Sequence, residues 1–173
     1  MSSSILPEVW MRGTLPEVPA LVQPVAHALL QAQEELHELL QNFPLELLWE
    51  KPVGVASVGF HLQHLTGVLD RLFTYARAEQ LSEQQLAYLK AEGIANHTIT
   101  VTSLLQAFDA QIASSLAVLK AIAPATLTDL RGVGRKQLPS TVMGLLFHSA
   151  EHTMRHVGQL LVTVKVLVAN KAA

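Results

Sequence analysis

The 173-residue chain contains no cysteine. That absence excludes disulfides, thiolate metal ligands and a cysteine nucleophile, so any transition-metal site must be built from histidine and carboxylate. Charge is also scarce: 15% of the residues are Asp, Glu, Lys or Arg, and the net charge is -2 with histidine neutral. The lysines and arginines stand singly along the chain. They offer no footprint for a nucleic-acid backbone and no patch for an anionic membrane surface. No apolar run approaches the ~18 residues of a membrane span. The opening "MSSSILPEVWMRG" lacks a cationic stretch followed by an apolar one, so no signal peptide is expected and the cytoplasm is the expected compartment. No repeat, low-complexity tract or strand pattern stands out.

What the chain does have is apolar side chains, half of the total. That suffices for a sizeable core, and the length predicts one domain over residues 1–173. Pro7, Pro16, Pro19 and Pro24 punctuate the start, which reads as an extended N-terminal arm over residues 1–19. Helix one is expected from Val25 to Phe43, with Leu29, Leu36, Leu39 and Leu40 at helical spacing. Helix two, "ASVGFHLQHLTGVLDRLFTYARAE", carries a seam of Val58, Leu62, Leu65, Leu69, Leu72 and Ala76. "LSEQQLAYLKAEG" predicts a short extra helix with a Ser82/Gln85 capping box and a stop at Gly93. Helix three is "TSLLQAFDAQIASSLAVLKAI", followed by a polar loop over residues 124–139. Helix four is expected to start with Ser140 as N-cap and to run to about Val168. Its predicted seam is Met143, Phe147, Ala150, Met154, Val157, Leu161, Val164 and Val168. Four long amphipathic helices and one short one predict an all-α fold, a four-helix bundle.

Helix four also carries His148, His152 and His156, one per turn. Residues four apart share a face about 6 Å apart along the axis, so a pair can grip one ion. All three cannot: His148 and His156 lie about 12 Å apart along the axis, against metal–nitrogen bonds of about 2.0–2.1 Å. With Ala150 at zero on the helical wheel, His156 falls near -120°, His152 near -160° and His148 near +160°. His156 therefore borders the apolar sector and His148 points most toward water, which favours His152 and His156. A third ligand can come from "FHLQHL" on helix two. Helical angle leaves both His61 and His64 open, since His61 lies deeper in the seam and His64 flanks it as His156 flanks its own. A lone HxxxH is also explained by surface histidines or by a core histidine bonded to a carbonyl; the second cluster is what lifts the pattern. His27, His37 and His97 have no such neighbours.

"HLTGVLDRL" on helix two and "HTMRHVGQ", in the form HxxxHxGQ, on helix four resemble the DinB/YfiT-like superfamily, a group of metal-dependent bacterial enzymes many of which have no assigned reaction. The resemblance covers about residues 20–168 and the order of the four long helices. It implies an up-down-down-up four-helix bundle and a divalent ion held by one histidine of helix two and two of helix four, which fall on His64, His152 and His156. Relatives include thiol-dependent S-transferases and a mycothiol-dependent maleylpyruvate isomerase. The pattern departs from many relatives in placing Glu151 before His152 and Arg155 beside His156, and His148 is extra.

Three neutral imidazoles leave an ion with open positions for water or substrate, the mark of a catalytic more than a structural centre. The expected function is a divalent-metal-dependent enzyme acting on a small molecule, a thiol-dependent S-transferase or a hydrolase-like enzyme. The cofactor is a zinc, nickel, iron, manganese or copper ion, joined by a low-molecular-weight thiol cosubstrate whose sulfur the cysteine-free chain does not supply. His61, Arg71 and Gln159 are candidates for the layer that supports the ligands. No catalytic acid or base is singled out. The alternative is a non-catalytic helical module for ligand binding or dimerisation with a structural metal. A homodimer is expected, because the seams together with the apolar face of helix three exceed what one small bundle must bury.

Overall fold

The structure, a computed structural model, describes residues 6–172, so residues 1–5 of the expected arm lie outside it. It is mostly helical. Helix α1 spans Gln23–Leu40, α2 Val58–Ala76, α3 Glu83–Ala91, α4 Val101–Ala121 and α5 Val142–Ala172. The short α3 begins with the expected capping box: Ser82 Oγ accepts from Gln85 N–H at 3.2 Å, and the Gln85 side chain accepts from Ser82 N–H at 2.8 Å. The four long helices pack as a closed ring, α2 against α5 and α4, and α1 against α5 and α4. Among the described residues no helix is long and apolar enough to cross a membrane.

The seam of α2 is buried throughout, and this helix also buries His61, Gln63, Arg71 and Thr74. It is the element most enclosed by others, with Trp49 from the preceding loop lying so close over Gly59 that a Cβ there would meet the indole at 2.5 Å.

Four expectations change. First, residues 124–139 are not only a loop. Strands β1 (Leu130–Val133) and β2 (Leu138–Thr141) form an antiparallel hairpin, with Gly132 opposite Pro139. The pattern hides because each strand has four residues, Pro139 stands inside one, and a two-stranded ribbon is all edge, where proline is tolerated. Second, Ser140 is consumed by this pairing, opposite Arg131. The helix cap passes to Thr141, whose Oγ1 accepts from Gly144 N–H at 3.0 Å.

Third, α5 is turned by roughly 80° from the expected seam. Phe147 is 64% exposed, whereas Ser149 and Thr153 are fully buried. Small residues let α1 and α2 approach closely, and Ser149 Oγ satisfies itself on Leu146 O at 2.6 Å. The rotation is toward the side that carries His152 and His156. Fourth, the described part of the arm does not stay extended. It forms a 3-10 turn at Val9–Arg12 and lies on α1. Val9 N–H donates to Gln31 Oε1 at 2.9 Å, Arg12 forks onto Glu34 at 2.6 and 2.8 Å, and the Gln23 carboxamide bonds Leu15 and Val18.

Candidate metal centre

The packing of α2 on α5 brings the two histidine clusters face to face. One ring nitrogen from each of His64, His152 and His156 falls within 4.8 Å of the others. His64 Nε2 lies 3.0 Å from His152 Nε2. The ring centroids of His64 and His152 are each 4.6 Å from that of His156. A tetrahedral ion with bonds of about 2.0–2.1 Å sets its nitrogens about 3.3 Å apart. The donor set and its spacing therefore fit a divalent ion.

The rings are prepared to offer lone pairs. Burial, and then the charge of His64, push His61 and His156 down to about 4, and His152 is lowered for the same reasons. Neutral imidazole is the form that binds a metal. His61 stands beside the group: its Nδ1 is 3.0 Å from His156 Nδ1, so it supports His156 through that nitrogen.

The feature that sequence reasoning missed is Glu92. Its side chain is 4% exposed. One oxygen takes His64 Nδ1 at 2.8 Å, and the other accepts from Arg71 Nη1 at 2.6 Å. An ionised carboxylate only accepts, so His64 carries its proton on Nδ1 and leaves Nε2 bare toward His152. The placement of Glu92 has several causes. It follows the last residue of α3, and Gln63 Oε1 accepts from Gly93 N–H at 2.8 Å, which ties the next residue to α2. Gly67 provides the room, because a Cβ there would collide with Glu92 Oε1 and sit 2.6 Å from Arg71 Nη1. Phe60 stacks on the His64 ring at 5.2 Å and 10°. A signal was present: a carboxylate at a helix C-terminus opposes the helix dipole, so its partner had to be sought elsewhere.

The other candidates separate. Arg71 reaches His64 through Glu92. Gln159 is exposed and, among the described residues, makes no hydrogen bond to His156. His148 points outward and binds Glu151 at 2.7 Å, and Glu151 also holds Arg155 at 2.5 Å. His148, Glu151 and His152 can also converge within 4.8 Å, but this second group draws on a carboxylate already engaged twice. Tyr75 lines a separate cavity beside the β1–β2 hairpin. His37 pairs with Asp109 at 2.9 Å, far along α1.

No curated protein matches the chain. A profile of the DinB superfamily matches residues 28–160, a span that includes α2, Glu92 and the α5 histidines. By this match over most of its length, the chain belongs to the DinB superfamily.

Proposed function

We propose that this protein is a divalent-metal-dependent enzyme acting on a small molecule, with His64, His152 and His156 as the ligands. The observation that carries the reading is the convergence of three imidazoles, one of them oriented by a buried carboxylate. Under this reading the four long helices follow the up-down-down-up path of a DinB bundle. A divalent ion bound here supplies Lewis acidity, lowering the pKa of a water or of a low-molecular-weight thiol into the neutral range.

The chain's own residues do the rest. Glu92 fixes the tautomer and ring plane of His64, and Arg71 holds Glu92 in place. His61 accepts from or donates to His156 Nδ1 and sets that ring. Phe60 walls the His64 face from solvent. Three protein ligands leave room for substrate, which favours catalysis over a closed structural site. A thiol-dependent transfer is favoured over hydrolysis by a chain without cysteine, whose sulfur nucleophile has to be brought in.

The test is elemental analysis of untagged protein beside alanine variants. About one divalent ion per chain is expected in the wild type and in His148→Ala. His64→Ala, His152→Ala and His156→Ala each lose it. Retention in His64→Ala and His156→Ala, with loss in His148→Ala and His152→Ala, moves the site to the His148–Glu151–His152 group.

We also propose a homodimer. Its support is the apolar surface that α5 leaves uncovered, Phe147, Leu161, Val162, Val166 and Val168.

A further inference from the structure

Four glycines lie inside helices, at positions 59, 67, 144 and 158. Three have a packing reason: a Cβ would strike Trp49, the Glu92–Arg71 pair, or Ser140 Oγ at 2.8 Å, respectively. At Gly158 a Cβ meets nothing within 4 Å. A glycine inside a helix costs about 0.8–1.0 kcal/mol relative to alanine. No protein atom requires that cost in the middle of α5.

The space beside Gly158 is a cavity of about 570 Å³, within the range of small-molecule sites. It lies between α5 and the entry to α2, with Val55, Ala56 and Val162 as apolar walls. Its buried polar members are His61 and Thr163. Arg155 and Gln159 stand on α5, and the lining holds this one arginine and no carboxylate. Arg155 gives one Nη to Glu151, which lies outside the cavity, and its other N–H groups have no partner among the described residues. When His156 Nδ1–H donates to His61 Nδ1, the proton of His61 sits on Nε2, a second donor beside the cavity.

We propose that this cavity binds a small apolar carboxylate, its hydrocarbon part in the space left by Gly158 and its carboxylate on Arg155 and Gln159. Gly158 and Gln159 thereby gain a role separate from metal ligation. The site needs no metal to form. That its occupant is the substrate of the metal centre, one hydrogen bond away through His61, rests on the reading proposed above.

The test uses the metal-free 173-residue chain, titrated with hexanoate at millimolar concentration and followed by ¹H–¹⁵N NMR, with hexylamine and hexanamide as controls. Hexanoate is expected to shift residues 55, 56 and 158–163, hexanamide more weakly and hexylamine not at all. Gly158→Ala raises the melting temperature, because it improves helix propensity without a clash, yet weakens hexanoate several-fold. Gly158→Leu abolishes the shifts. Arg155→Gln brings hexanoate down to the affinity of hexanamide. Equal shifts with hexylamine, no shifts in the wild type, or unchanged binding in Gly158→Leu each overturn the proposal. Metal stoichiometry is measured separately, so loss of the three-histidine reading leaves this result standing, and the reverse.

Discussion

A single carboxylate sets the character of the histidine cluster. Glu92 touches no other member of the triad, yet it decides which nitrogen of His64 faces inward. Glu92→Gln is expected to weaken metal binding by about 10–100-fold, the usual effect of disturbing a ligand's supporting hydrogen bond. A chelator competition titration reads this directly, and an unchanged affinity would show that His64 needs no orienting partner. The rings also make the metal-free protein sensitive to acid. His61 and His156 titrate near 4 in the folded chain and near 6.5 in the unfolded one, so between those values the unfolded state binds more protons. Stability is full above about 6.5 and is lost as pH falls toward 4. Melting temperatures of chelator-treated protein at pH 7 and pH 5 test this, with a clear fall expected. The histidines were legible in sequence because one residue type recurred at the helical period. Glu92 was not, because nothing local links it to residue 64. Only the fold of α3 onto α2 brings them together.

At the scale of elements, the short α3 is a delivery device for Glu92, and Gly67 is the opening in α2 that receives it. Gly67→Ala improves helix propensity on its own, yet here the new methyl collides with the Glu92–Arg71 pair. The expected result is a net destabilisation of about 1–3 kcal/mol, together with weaker metal binding, read by denaturant unfolding and the same chelator titration. A stabilised variant with unchanged affinity would separate Gly67 from the site. The two histidine helices also show why one seam was readable and the other was not. On α2 the large aliphatic residues all point inward, so hydrophobic spacing gave the buried face. On α5 the close contacts are made by Ser149, Thr153 and Ala150, while Phe147 and Leu161 face out. Reading by hydrophobicity alone therefore kept Ala150, Val157 and Val164 on the buried face but misplaced Phe147 and Leu161. The β1–β2 hairpin escaped for a different reason: its four-residue strands contain too few side chains to show alternation.

At the scale of the molecule, the outward Phe147 and Leu161 carry the expectation of a second copy. Light scattering at micromolar concentration is expected to give the mass of two chains, with Phe147→Glu shifting it toward one. A monomer in the wild type would leave the α5 stripe as ordinary surface. The apolar content supplies a core shared by all four long helices, as the composition led one to expect.

The two sides of the histidine group are separated in time as well as in sequence. His64 precedes its neighbour His152 by 88 residues. At synthesis rates of about 5–20 residues per second, that gap amounts to roughly 4–18 s on the ribosome. A nascent chain that has made α2 but not α5 owns one of the three rings, too few to retain an ion against the cell's chelators. If the proposed three-histidine reading holds, metal uptake waits until α5 has docked on α2.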